Sequence, residues 1–212
     1  RPGDEGLLSL RTTDFQRTRE SLASLLEGLY PADTRAGVYL PVRMVPYDTD
    51  FMHPNSDACP RIGQLLKATT AQGTEWARRL AKIKPLLDRV NAIAGTTGKS
   101  GFDHATTADT WGDILHAREC HNMHYPCDAS GRECVTQDVV DAICAEADWE
   151  ASHYYNISEE IQRLTAGPFY MEVLQHFIAA SRAANGPKYV HFSAHDSTID
   201  YVVAALKQDV GF

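Results

Sequence analysis

No stretch of the 212-residue chain approaches the roughly 18 to 20 consecutive apolar residues that a membrane-spanning helix needs. Positive charge is scarce: 20 Lys and Arg stand against 28 Asp and Glu, a formal net charge of −8. Such a surface repels phosphate backbones, and no Lys/Arg cluster interrupts it, which argues against nucleic acid as a partner. Internal repeats and low-complexity segments are absent, so solenoid and repeat architectures are excluded. There are only five cysteines, and none of them forms a C-x-x-C pair. What remains is ordinary: 43% apolar and 23% charged residues, close to the globular average, which excludes disorder for most of the length. The length suits one domain, or one domain with a sizeable insertion.

The cysteines are unevenly placed. Cys120, Cys127 and Cys134 are crowded together, with Cys144 just after them and Cys59 well upstream. Asn156-Ile157-Ser158 is the one N-glycosylation sequon. Cysteines and a sequon together favour a secreted or lumenal protein. The chain opens on Arg1-Pro2-Gly3 with neither Met nor an apolar leader, and an odd cysteine count points to a partner elsewhere. Both features read as those of a fragment.

Hydrophobic spacing divides the chain. Residues 7–10 are a short apolar run ending at Arg11, which predicts a buried strand. Thr12, Thr13 and Asp14 are capping types, and a helix should run from them to about Tyr30, with Phe15, Thr18, Leu22, Leu25, Leu26 and Leu29 on one face. Residues 38–45 are β-branched and aromatic, but Pro41 and Pro46 confine them to an edge strand or an extended connection. From residue 60 to about 162 the pattern is helical. Residues 75–94 form a strongly amphipathic series, which Pro85 should kink or split. Further helices are expected over 107–120 and 136–149, around a polar loop from Cys120 to Cys134, with another loop at 95–101. Gly167-Pro168 reads as a helix start, with Phe169, Tyr170, Val173, Leu174, Phe177 and Ile178 as its buried face. Residues 189–194 read as a strand, after which Ser197-Thr198 caps a last apolar helix over 199–206. Strand–helix, all-helical insertion, helix–strand–helix is the layout of an open α/β sheet with a helical subdomain grown out of it.

Three constellations could carry chemistry. Leu10-Arg11-Thr12-Thr13-Asp14, with Arg17-Thr18, puts an arginine at a strand end before a helix N-terminus, where ligand crevices form and anions bind. Its planar fork suits phosphate or carboxylate. The alternative is an arginine that pairs with Asp14 to tie the helix start. Ser193-Ala194-His195-Asp196-Ser197-Thr198 is a second strand-to-helix turn. There an imidazole can donate to an oxyanion while a carboxyl, kept protonated by like charge beside a bound phosphate, protonates a leaving group. The alternative is Asp196 as a plain helix cap beside an incidental histidine. The third group is His116, Cys120, His121, His124, Cys127 and Cys134, whose spacings resemble a zinc site, although an oxidising compartment favours a disulfide-braced loop. His53, His104, His153, His176 and His191 show no partner pattern and read as surface or satisfied residues.

Taken together these residues resemble the histidine acid phosphatases. Arg11-Thr12-Thr13-Asp14-Phe15-Gln16-Arg17-Thr18 is similar to that family's R-S-T-D-x-x-R-T segment, and Leu29-Tyr30-Pro31 to the end of the helix that follows it. Pro41-Val42-Arg43-Met44-Val45-Pro46 resembles P-V-H-T-V-P, with Arg43 and Met44 departing. Asp50-Phe51-Met52 stands where D-x-L-L is usual, and Cys59-Pro60 and His121-Asn122 stand where the family often has them. Ala166-Gly167-Pro168 is similar to a G-G-P helix start, and Ser193 to Thr198 matches S-A-H-D-x-T. The loop from Cys120-His121-Asn122 to Cys127 is similar to the branch containing 2-phosphoxylose phosphatase.

The resemblance implies a phosphoglycerate-mutase-like α/β fold, an open sheet with helices on both faces and an α-helical cap. Residues 1–59 and 165–212 would form the core and 60–164 the cap. It implies a phosphomonoesterase without metal or cofactor, acting through a phosphohistidine on phosphomonoesters such as phosphorylated small molecules. Arg11 would clamp the phosphate, His195 would hydrogen-bond the transferring phosphoryl group, and Asp196 would protonate the leaving alkoxide. It is compatible with homo- or hetero-oligomers and with Asn156 as a glycosylation site. One departure is large. The chain holds no Arg-His dipeptide, so the R-H-G-x-R-x-P segment that carries the attacking histidine is expected to lie outside it, and this stretch alone is expected to be inactive. By the same resemblance Cys127 and Cys134 should pair locally, while the partners of Cys59 and Cys120 should lie beyond these residues. A catalytically inactive binding or assembly subunit on the same fold is the alternative.

Overall fold

The computed structural model describes residues 7–35, 37, 39–53, 55–96, 107–182 and 186–210. His104 and most of the 95–101 loop lie outside them. The chain is a mixed α/β protein in two compact units, one made of residues 1–64 with 158–212 and the other of 65–157.

The first unit holds a parallel sheet in the order β2-β1-β3. Strand β1, Leu8–Thr13, lies between β2, Arg43–Val45, and β3, Tyr189–Ser193. It continues past Arg11, so Thr12 and Thr13 are strand residues rather than the expected caps. The helix that follows, α1 at Gln16–Leu29, starts from Phe15 with no side-chain cap. The reason lies in the register: Thr12 pairs with both Met44 and Ser193, and two ladders of backbone hydrogen bonds outweigh a local cap. Leu10 packs with Leu22 and Leu26 of α1, and Leu8, Tyr30 and Leu40 close this small core. Leu29 is exposed. Strand β2 has three residues and occupies an edge, where its flanking prolines are tolerated. The one-turn α2, Ala32–Arg35, precedes β2, and α3, Pro60–Thr69, follows it.

The second unit is helical. Its helices are α4, Glu75–Ile93, α5, Ala108–Cys120, and α6, Gln137–Tyr154. Pro85 does not split α4. It sits on the solvent face, so the carbonyl it leaves without an intrahelical partner can face water. Ile83, Leu87, Val90 and Ile93 pack on Trp111, Leu115, Val139, Val140 and Ile143. Buried Asn91 is satisfied within this core, accepting Trp111 Nε1–H at 3.1 Å and the Thr96 hydroxyl at 2.8 Å through Oδ1. Helices α5 and α6 touch at Gly112, where a Cβ would lie 2.6 Å from the Ala147 Cβ. A disulfide joins Cys127 to Cys134 across an isolated antiparallel bridge. Cys59, Cys120 and Cys144 are free thiols, and His116 Nε2 is 3.6 Å from Cys120 Sγ.

Helix α7 corrects the sequence expectation most. It runs unbroken over Glu159–Arg182 with Pro168 inside it, so Gly167-Pro168 is not its start. Ser158 supplies the start instead: its Oγ accepts the Ile161 N–H at 3.3 Å, and Glu159 and Glu160 complement the helix dipole in the first turn. The boundary between the units accordingly falls ahead of Glu159. The buried residues of α7 are Ile161, Gln162, Thr165 and Ala166. Leu174, Phe177 and Ile178, expected inside, are exposed, Phe177 at 69%. The last helix, α8, begins at Asp196, earlier than the expected Ile199, and ends at Val210.

Candidate active site

Thr12 pairs with Ser193 in the parallel register, so β1 and β3 end side by side. The residues that leave them, Thr13 to Phe15 and Ala194 to Asp196, therefore share one carboxyl edge of the sheet, where open α/β sheets build their ligand sites. Ser193 Oγ donates to the Thr18 carbonyl at 2.8 Å and fastens β3 to the start of α1.

His195 is held from both ring nitrogens. Arg17 Nη2 lies 3.0 Å from Nδ1, and Thr13 Oγ1 lies 3.0 Å from Nε2. Arginine can only donate, so Nδ1 accepts and Nε2 carries the proton. Beyond it, Thr13 Oγ1 is 2.9 Å from Thr18 Oγ1, whose hydroxyl donates to the Phe15 carbonyl at 2.9 Å. The chain of donors thus runs in one direction, from Arg17 through His195, Thr13 and Thr18 to the backbone. Burial lowers the His195 pKa, Arg17 and His53 lower it further, and Asp196 and Asp50 act in the opposite sense. Acceptance from Arg17 at Nδ1 and the lowered pKa both favour the neutral imidazole, the form that can hydrogen-bond an oxyanion through its one N–H without giving up the proton. Phe15 meets its edge at 4.7 Å between centroids, and His53, stacked on Tyr47 at 4.4 Å, stands 6.2 Å away.

Arg11 sits deeper, buried on β1. Its Nη2 donates to Asp50 Oδ1 at 2.7 Å, its Nη1 donates to Glu172, and its guanidinium lies 4.3 Å over the Phe51 ring. The expected alternative partner is not used: Asp14 pairs with Arg19 instead, at 2.6 Å. Arg11 Nε and Asp50 Oδ2 are buried without a hydrogen-bond partner. Asp50 connects the two halves of the site, because it is bonded to Arg11 and also bears electrostatically on His195. Asp196 is the exposed first residue of α8, and its Oδ1 accepts the Ser197 N–H at 2.7 Å. Thr198, read as a cap, is buried: its hydroxyl accepts the His195 N–H at 3.1 Å and donates to the Met52 carbonyl.

The sequence thus indicated Arg11, His195 and Asp196 but passed over their supports. His53, read as a surface or satisfied residue, is the latter: its Nε2 lies 3.2 Å from the Tyr47 carbonyl, and the ring is buried, stacked on Tyr47 and near His195. Asp50 could have been found from its place in the D-x-L-L-like element. Glu172 carried no local signal, because only tertiary folding brings α7 to β1. Asn156 is exposed between α6 and α7. Among the described residues no group of three His, Cys, Asp or Glu side chains is arranged to hold a metal ion, and no helix is long and apolar enough to cross a membrane.

Comparison with known proteins places the chain in a family. The profile of the histidine phosphatase superfamily (branch 2) matches residues 5–212. The chain is 28% identical over 195 residues to counting factor 60 of Dictyostelium discoideum, covering 90% of this chain and 43% of that protein. It is 28% identical over 211 residues to the lysosomal acid phosphatase of Xenopus laevis, covering 93% and 46%. With the prostatic acid phosphatase of Homo sapiens it shares 26% over 213 residues, covering 93% and 51%. The chain therefore spans about half the length of the curated relatives it matches. Matched along nearly its whole length, and folded as a parallel α/β sheet with its polar residues at the strand ends, this chain belongs to branch 2 of the histidine phosphatase superfamily.

Proposed function

We propose that this chain is the phosphate-holding and proton-donating portion of an acid phosphatase that hydrolyses phosphomonoesters through a phosphohistidine. The observation that carries the reading is the neutral His195 at the joined strand ends, with Nε2–H as its donor. Arg11 neutralises and orients the phosphate. A histidine from an R-H-G-x-R-x-P segment outside these residues attacks phosphorus, and the bond to the leaving oxygen breaks as the Asp196 carboxyl gives that oxygen a proton. Water then cleaves the phosphohistidine, releasing phosphate, and the Asp196 carboxylate takes up the proton. His195 donates its Nε2–H to the phosphoryl oxygens in place of Thr13 Oγ1. The sequon at Asn156 and the Cys127–Cys134 disulfide support a secreted or lumenal, glycosylated protein.

A second reading, a non-catalytic binding subunit, is favoured by one observation: the Arg11 guanidinium is already engaged by Asp50 and Glu172. One experiment separates the two. The naturally produced protein is sequenced by mass spectrometry and assayed at acidic pH with nitrophenyl phosphate and a phosphorylated sugar. Turnover with a trapped phosphohistidine on an R-H-G-x-R-x-P peptide is the expected result. A mature protein with neither that peptide nor turnover would overturn the phosphatase reading, and activity from the 212-residue polypeptide alone would overturn the placement of the nucleophile.

A further inference from the structure

Arg11 and Arg43 stand directly opposite each other in the parallel pairing of β1 and β2, so their side chains leave the same face of the sheet. Both guanidiniums converge on one carboxylate. Arg11 Nη1 donates to Glu172, and Arg43 Nη2 lies 3.1 Å from it. Burial grades along this line: side-chain exposure is 3% for Arg11, 12% for Glu172 and 59% for Arg43. Arg11 also keeps a buried Nε–H with no acceptor. An unmade hydrogen bond of this kind is costly, and more so for a charged group.

Resting on the acid-phosphatase reading, we propose that Arg43 is a second phosphate-binding arginine, and that Glu172 occupies the anion seat between Arg43 and Arg11 until a phosphate displaces it. Two arginine forks facing one another across a gap filled by a carboxylate form a donor set that also suits a tetrahedral oxyanion. A phosphate brings more charge than Glu172 and more acceptor oxygens, enough to reach the unused Arg11 Nε–H as well. Glu172 and phosphate cannot share the seat, because two anions against the same guanidiniums repel each other. Glu172 is therefore an internal competitor, and Arg43 is the solvent-facing side of the seat. Arg43 stands where the resembling P-V-H-T-V-P motif has histidine, so the arrangement belongs to this chain's own sequence.

The test is calorimetric titration of the naturally produced full-length protein with inorganic phosphate, which needs no turnover. Arg43→Gln should weaken phosphate binding by about 5-fold or more, and Glu172→Gln should tighten it by a similar factor, as expected when a competing state is removed. A purely structural ion-pair network would not shift binding in opposite directions in the two variants. If the wild type binds phosphate, Arg11→Gln loses it, and both Arg43→Gln and Glu172→Gln stay within about 2-fold of wild type, the inference is overturned and the phosphatase reading stands. If neither the wild type nor Glu172→Gln binds phosphate, both are overturned. Arg43 is exposed, so its variant folds and carries the test even if Glu172→Gln does not.

Discussion

Arg17 donates through Nη2 to His195 Nδ1 at 3.0 Å, and that hydrogen bond decides which nitrogen of the imidazole carries the proton. The guanidinium acts twice, fixing the tautomer by geometry and disfavouring the imidazolium by charge. Arg17→Met should therefore raise the His195 pKa toward its ordinary value, read by NMR titration of the ring. Burial is the larger cause, so the rise should be partial. An unchanged titration would remove Arg17 from the account. The sign for stability follows from the depressed folded value. The folded protein resists protonation, so stability falls as pH drops below the ordinary 6.5 toward the folded pKa, and the fall should be shallower in Arg17→Met.

Arg11→Ala should do more than weaken phosphate binding. Asp50 would be left buried, with only the Met52 N–H at 2.9 Å on its Oδ1. Breaking a buried pair from one side typically costs about 3–5 kcal/mol, measurable by urea denaturation. Arg11→Met with Asp50→Leu should recover much of that loss. A double variant as unstable as Arg11→Ala would show that the charge left behind is not the cause.

On the proposed phosphatase reading, Asp196→Asn in the naturally produced protein should slow hydrolysis by about 10²- to 10⁴-fold for alkyl phosphates, and much less for nitrophenyl phosphate, whose leaving group needs no proton. Equal losses on the two substrates would exclude the general-acid role.

Glu150 is buried in the helical unit, accepting the Ala108 N–H at 3.3 Å and the Asp109 N–H at 2.8 Å at the start of α5. Burial raises its pKa above the ordinary 4.5 despite those two bonds. An acid raised on folding contributes stability that is fully present below pH 4.5 and is lost as pH rises through its folded value. Glu150 thus contributes a dependence that favours the helical unit at acidic over neutral pH, opposite in sense to that of Glu75, Asp128 and Asp138, whose pKa values are lowered. Glu150→Ala should flatten that dependence and, by leaving two N–H groups unmet, cost about 1–3 kcal/mol. Denaturation curves at two pH values check both effects.

Gly112→Ala should destabilise the α5–α6 contact by about 1–3 kcal/mol, because its Cβ would meet Ala147 Cβ at 2.6 Å. Adding Ala147→Gly should relieve most of the loss. A neutral Gly112→Ala in a thermal melt would show that the helices can separate freely there.

Local chemistry made much of this protein legible from sequence. The helical spacing of apolar residues over 75–94 gave α4 within a residue, because an amphipathic period is a property of the chain itself. Arg11 and the His195-Asp196 pair were visible as polar residues at strand-to-helix turns. Tertiary structure decided the rest. Thr12 and Thr13 joined β1 because flanking strands offered them two ladders, which no local propensity reports. Pro168 sits inside α7 because Ser158, ten residues upstream, had already capped that helix. Asp50, His53 and Glu172 entered the site only when distant segments met around β1, and their distances in sequence left no periodicity to read. Sequence by itself determined where arginine, imidazole and carboxyl side chains stand next to strand-to-helix turns. Only packing decided that Arg11 and Arg43 would face the same carboxylate, because strand register is set by the whole sheet.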